Sequence, residues 1–508
     1  MKRYQKLSLI GLALAALALP VVASVIEEIQ GHPAPGEFDL QAAEFARKVL
    51  VDQLRADMPP SALVGRTRVD VSEQERELIA QSTEVRLRIG VVKALGEPVR
   101  FNGRSARDVA RRSDGSTVWA RTIEAPEATA LRLHFTGVDL APSAELFIHT
   151  SRGEAFGPYT GRGPIGTGEF WSHTVAGDTV TMQIRQPGGS RASSSFTLAE
   201  IGYVDLSKVN GLPMPSPQAG EQLCSFNANC VENANCNNLP AAITSARNAY
   251  AHMEFVQGQF LYYCTGGLIA DTNPSNTGPY FLTANHCLST TSVAGSLQNF
   301  FQYSVGCNGT CPTLYFYNQT PPPFPRTVGG TVRATNSTSD FTLIELSQAA
   351  PAGSSFLGWN KTAVANTNGT ALYRISHPGG APQAYSTHTV NTSRPTCQGW
   401  PRGAWIYSVD TLGATEGGSS GSPVLNSSGQ VVGQLTGACG FNTGNVCDTA
   451  SNATVDGAFA NYFCTVRPFI APGDTSCGGG GCTPKNGSCT TNSQCCSNNC
   501  NTRNGRCR

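Results

Sequence analysis

All 18 cysteines of this 508-residue chain lie at or beyond Cys224. An even number at this density implies disulfide bonds and an oxidising compartment, and their confinement to one stretch implies two pieces built from different material. Charge divides in the same way. Residues 1–220 hold 24 of the 35 acids and 24 of the 36 Lys and Arg, and residues 221–508 hold 11 and 12. The length suits about three folded units, at roughly 150 residues each. A formal net charge of +1 gives no basis for a nucleic-acid or anionic-membrane partner.

The N-terminus fits export. Lys2, Arg3 and Lys6 precede an apolar run from Leu7 to Leu19, and Pro20-Val-Val-Ala23 ends in residues that suit signal peptidase. The run is short for a transmembrane span. We therefore expect a signal peptide over 1–23 and a secreted product, with no membrane partner after its removal. Residues 24–220 form a cysteine-free accessory region. Phe38 to Leu54 has helical apolar spacing, and from about Val85 short alternating stretches (131–135, 145–150, 179–185) predict a β-sandwich. Gly211 to Pro217 is a linker by composition. Residues 221–475 read as all-β, and a glycine run, Gly478 to Gly481, precedes a cysteine-rich segment over 482–508.

Three segments of the middle domain carry chemistry. Phe281-Leu-Thr-Ala-Asn-His286-Cys287 is an apolar strand ending in a histidine. Ser339-Asp340-Phe-Thr-Leu-Ile-Glu-Leu346 opens a strand with an aspartate. Glu416-Gly-Gly-Ser-Ser420-Gly-Ser-Pro423 sets a serine in a glycine-rich turn. Each alone has a structural reading, as a strand-end residue, a turn residue or a flexible loop. Together, in the order His, Asp, Ser within one β domain, they suit acyl transfer. A serine hydroxyl needs an imidazole to take its proton, and the imidazole needs a buried carboxylate to fix its tautomer. The oxyanion needs backbone donors, here the N–H groups of Gly418 and Ser420. Asp410, Asp448 and Asp456 are competing acids outside a comparable motif, and His252, His377 and His388 are expected to be structural.

With TANHC (283–287), SDFTLIEL (339–346), GWN (358–360), ISHP (375–378), TEGGSSGSP (415–423), VVGQL (431–435) and the early pair Cys224-x5-Cys230, the chain resembles the trypsin-like serine peptidases of the chymotrypsin fold. Within them it is most similar to the bacterial lysyl-endopeptidase group. The resemblance covers roughly 220–465. It implies an all-β domain of two six-stranded barrels with a triad, His286, Asp340 and Ser420, in the cleft between them. It also implies protein or peptide substrates and no cofactor or metal.

The chain departs from the family at several points. Ser419 stands where most animal trypsins have the aspartate that pairs with a new N-terminus, so latency is expected from the N-terminal region, acting as an inhibitory or folding-assisting propeptide. A trypsin-like pocket places an acid six residues before the nucleophile, where this chain has Ala414. The lysyl-endopeptidase acid comes later, where Asp448 and Asp456 are the candidates, and Thr436 replaces a histidine. Basic residues at P1 (the residue before the scissile bond) are the favoured substrates, with a neutral or small-residue pocket as the rival. Two other classes fit less of the pattern. A silent homologue acting as a binding or adhesion protein usually lacks a triad residue, and an esterase of the Gly-x-Ser-x-Gly type expects a parallel α/β sheet.

We expect Cys264 to bridge Cys287, Cys230 to pair with Cys307 or Cys311, and Cys224 with Cys439 or Cys447. The remaining partners in the domain stay open, and Cys307-x3-Cys311 has metal ligation as its alternative. The C-terminal spacing resembles knottin modules, which implies Cys482–Cys496, Cys489–Cys500 and Cys495–Cys507 and leaves Cys464 for Cys477. Such a knot suits either a binding module for a surface or bulk substrate or a protease-resistant cap.

Overall fold

The computed structural model describes residues 25–82, 86–106, 108–188, 193–209, 223–224, 226–307, 311, 321–397, 399–477, 500–501 and 503–507. The expected signal peptide, the linker at 211–217, the glycine run and Cys482, Cys489, Cys495 and Cys496 lie outside them. In the tail, Cys500–Asn501 pairs antiparallel with Arg506–Cys507, Cys500 opposite Cys507.

The expected helix of the N-terminal region spans Leu40–Ala56. Asp39 caps it by accepting from the N–H groups of Gln41 and Ala42. Val51 and Leu54 pack it onto Phe147 and Ala155. A second helix, Glu73–Ala80, begins with a reciprocal Ser72–Glu75 capping box. Two sheets follow. One orders the strands Gly65–Arg68, Thr117–Glu124, Thr179–Gln186, Glu145–His149 and Ala155–Tyr159; the other is built on Leu87–Asn102, Ser195–Val204 and Ala130–Asp139. Ile123, Met182 and Ile184 from the first sheet meet Leu133, Phe135 and Leu198 from the second in one buried cluster. Alternating apolar residues thus make the expected sandwich.

The cysteine-bearing part contains two barrels. The first runs Gln298–Phe301, Tyr250–Gln257, Phe260–Leu268, Tyr280–Ala284, Phe341–Leu346 and Gly330–Asn336, and is nearly closed. The second closes on itself through Ala371–Ser376, Ala384–Val390, Trp405–Leu412, Asn452–Ala458, Gln430–Gly440 and Pro423–Leu425. The closing helix Phe459–Ile470 buries Phe459, Tyr462, Phe463 and Val466 against a cluster that joins the barrels.

Six disulfides join the twelve described cysteines from Cys224 to Cys477, including the expected Cys264–Cys287 and Cys464–Cys477. Two expectations are corrected. Cys224 bonds Cys311, and Cys230 bonds Cys447, because the segment around Phe226 enters an apolar cluster with Cys311 and Ala414 before it turns towards the loop at Val446. Cys236–Cys307 and Cys397–Cys439 complete the set, so Cys307 and Cys311 each already hold a sulfur partner.

Candidate active site

Sheet register delivers two of the three side chains to the same place. The strand Tyr280–Ala284 lies antiparallel to Phe341–Leu346, with Ala284 opposite Phe341, so the residues just past its end meet those just before the other begins. The Asn285 N–H donates to the Asp340 carbonyl (2.9 Å). Asp340 then accepts twice from His286, from its backbone N–H at Oδ1 (2.8 Å) and across Nδ1–Oδ2 (2.7 Å). Its φ of 50° is left-handed, a region that Asp tolerates better than most residues. Gln434 holds the turn by donating to the carbonyls of Ser339 and Asp340, and Tyr462 of the closing helix holds Gln434. The disulfide Cys264–Cys287 fixes the backbone next to His286.

Ser420 comes from the other barrel. Its turn needs glycine on both sides. Gly418 has φ 97°, and a Cβ there would stand 2.8 Å from the His377 carbonyl oxygen. Gly421 has φ 81°, and a Cβ there would collide with Thr283 and the Thr265 carbonyl. The Thr265 N–H donates to the Ser420 carbonyl and its hydroxyl to that of Gly418, tying this turn to the first barrel. Among the described residues no protein acceptor takes the N–H of Gly418 or of Ser420, which leaves both as potential oxyanion donors. Ser419 is fully buried, its hydroxyl bonded to that of Ser376.

His286, Asp340 and Ser420 all line one cavity of about 520 Å³. The Cys287 sulfur lies 3.9 Å from His286 Nε2 and 3.6 Å from the Ser420 carbonyl oxygen. No hydrogen bond joins Nε2 to the Ser420 hydroxyl in this conformation. Such bonds commonly tighten only on substrate binding. The grouping Cys264, His286 and Cys287 has metal-like spacing, but its sulfurs are bonded to each other.

The specificity candidates are scattered. Ala414 is 1% exposed inside the apolar cluster near Cys224, and Asp456 is fully buried in an ion pair with Arg374 (2.5 Å). Neither is among the residues that line the cleft. Asp448 lies at a small annex that shares Thr415, Ala438, Thr443 and Val446 with the cleft. Hydrogen bonds from Asn442 and Ser451 hold its carboxyl below the usual value.

Several residues have places at the site that the sequence reading did not give them. Asp410 also lines the annex. Burial opposes its charge, yet His388, Thr454 and Arg374 together hold its pKa down. Trp400 and Trp405 wall the cleft, their rings 5.4 Å apart. Glu416, just ahead of the nucleophile, accepts from the Asn227 side chain and the Ala228 N–H, both 2.7 Å, and so anchors its loop to the start of the cysteine-bearing part. The signal for Glu416 was its place in the serine motif; the tryptophans offered none beyond their type.

Residues 221–452 match the family model described as lysyl endopeptidase, C-terminal domain. A lysyl endopeptidase of Pseudomonas aeruginosa is 29% identical over 325 residues, covering 60% of this chain and 63% of that protein. A secreted RxLR effector protein of Plasmopara viticola is 24% identical over 285 residues, covering 53% of this chain and 64% of its own. The chain thus spans under two thirds of each relative's length. Solved structures with similarity include the active form of the Rv3671c protease of M. tuberculosis and a serine-to-alanine variant of the HtrA-type protease AlgW with a tripeptide. The first is 14% identical at TM-score 0.29, covering 46% of this chain and 85% of its own; the second is 12% identical at 0.33, covering 46% and 64%. The two-barrel architecture stands on the strand pairings.

Proposed function

We propose that the chain is the precursor of a secreted serine endopeptidase that prefers Lys or Arg at P1. The observation that carries the reading is the doubly hydrogen-bonded His286–Asp340 pair facing the Ser420 turn across one cavity. In the mechanism, the Ser420 hydroxyl attacks the peptide carbonyl as His286 Nε2 takes its proton. Asp340 keeps the imidazole in the Nδ1–H tautomer and stabilises the imidazolium. The N–H groups of Gly418 and Ser420 receive the oxyanion, and one such donor is worth about 3 kcal/mol of barrier. His286 then protonates the leaving amine, and water repeats the sequence in reverse on the acyl-enzyme.

The P1 side chain runs from the cleft towards the annex. There the Asp448 carboxylate, with Asp410 behind it, supplies the negative charge that separates Lys and Arg from apolar residues. The matched family and the name of the Pseudomonas relative support the same preference. Six disulfides support an oxidising compartment, and among the described residues no helix is long and apolar enough to cross a membrane. In this reading residues 24–220 are a propeptide, and the C-terminal module binds a surface or bulk substrate.

A library of quenched peptides varied at P1 tests the preference. Cleavage after Lys and Arg should dominate, and Asp448→Asn should lower kcat/KM for those residues by about tenfold to a hundredfold relative to a neutral P1. Cleavage after neutral residues alone would refute the basic preference.

A further inference from the structure

The strand Leu87–Asn102 has two partners. From Gly90 to Asn102 it pairs with Ser195–Val204 inside the N-terminal sandwich. Its first residues also pair with the first barrel, antiparallel, with Leu87 opposite Tyr263, Arg88 opposite Tyr262, Gly90 opposite Leu261 and Val91 opposite Phe260, so Gly90 and Val91 lie between both partners. That barrel edge leads directly into the site. Tyr263 precedes Cys264, whose sulfur is bonded to the neighbour of His286, and Thr265 bonds the Ser420 carbonyl.

The side chains around this pairing grip the barrel edge beside the site. Arg86 donates to the Cys287 carbonyl (3.0 Å) and to Gln257 (2.5 Å), and its guanidinium lies 4.0 Å from the centre of the Tyr262 ring. Arg88 lies 3.8 Å from the centre of the Phe260 ring. A methyl group of Leu87 comes within 3.9 Å of where a Cβ would stand on Gly417, a cavity-lining residue. An extended chain therefore lies along the barrel edge beside His286, held by main-chain pairing and by two cations on aromatic faces.

The rest of the interface differs in kind. Arg132 meets Glu254 at 3.7 Å, Arg326 meets Glu154 at 3.7 Å, and Thr174 bonds Gln298 and Glu254. Departure of the N-terminal region would rehydrate those polar groups. It would also uncover Leu261 and Tyr263, which now sit in the sandwich's apolar cluster, together with an unpaired strand edge. Such an edge is a template for another extended chain.

We propose that Arg86–Val91 of the unprocessed chain occupies the edge Phe260–Tyr263 as a substrate mimic and keeps extended peptides from pairing there. The partner is an extended peptide with basic residues at alternate positions, one over Tyr262 and the next over Phe260. The proposal rests on the proteolytic reading above. It assigns latency to competition for one strand edge and leaves the catalytic groups themselves assembled.

The test uses the full-length chain, its intactness checked by mass, with two substrates. One is a small ester with nothing but alcohol beyond the reacting carbonyl; the other is a quenched peptide with four further residues beyond the scissile bond. The intact chain should hydrolyse the ester and spare the peptide. Arg86→Ala combined with Leu87→Asp should raise peptide turnover about tenfold or more, with little change in ester turnover. Arg86→Lys, which keeps a cation over Tyr262, should stay silent. Arg86→Ala alone guards against misfolding of the double variant and should give a smaller release. Equal cleavage of the peptide by intact and processed chains, or a folded double variant as silent as the parent, overturns the proposal alone. Absence of ester hydrolysis even in processed chain removes the proteolytic reading and this inference with it.

Discussion

The second barrel contains another serine, histidine and aspartate in hydrogen-bonded sequence. Ser386 Oγ lies 2.9 Å from His388 Nε2, and His388 Nδ1 lies 2.7 Å from Asp410 Oδ1. The His–Asp distance equals that of His286 and Asp340. Yet Ser386 and His388 are both 1% exposed, and Arg374 approaches the same imidazole nitrogen. Ser386 sits inside the strand Ala384–Val390, opposite Arg374, and not in a glycine turn. Ser420 has a turn, a cavity and donors. On the proposed function the two serines differ in access and in a place for the oxyanion, not in relay geometry.

Substitutions can break this contrast. Asp340→Asn should lower kcat by roughly 10⁴-fold, because an amide holds the wrong imidazole tautomer, with little change in KM for peptides. Steady-state kinetics on the purified enzyme decide it, and a loss under tenfold would separate Asp340 from the chemistry. His388→Gln should act on the fold. With Asp410 deprived of its buried donor, it should cost about 3 kcal/mol in denaturant unfolding while kcat/KM of the folded protein stays within severalfold.

A smaller effect separates the site from its surroundings by pH. His377 is fully buried and donates its Nδ1–H to the Ala381 carbonyl (2.9 Å), and burial lowers its pKa to about 4. The unfolded chain takes up this proton near 6.5 and the folded protein only near 4, so acid favours unfolding between those values. Stability should fall by up to about 3 kcal/mol as pH drops through that window. His377→Asn, whose amide can still donate to Ala381, should flatten the fall in urea titrations. An unchanged pH profile would show that this histidine is not its source.

The triad candidates were legible because each sits in a short pattern with its own physical logic: strand then histidine, aspartate then strand, serine between glycines. What depends on distant partners was not. Asp456 lies on a strand whose every residue is buried, so alternation could not tell an inward ion pair from a pocket wall. The pairings of Cys224 and Cys230 depend on which loop ends meet across the domain. The change of partner along Leu87–Asn102 is likewise non-local: the alternating pattern announced a strand but could not show that its first residues belong to the barrel.

Fluorophosphonate labelling followed by mapping of the modified peptide is the most direct test. If imidazole and carboxylate activate one hydroxyl across the cleft, the processed enzyme should carry the phosphonyl group on Ser420. Labelling should vanish in Ser420→Ala and persist undiminished in Ser386→Ala. A phosphonyl group on any other serine, or labelling that survives Ser420→Ala, would contradict the account.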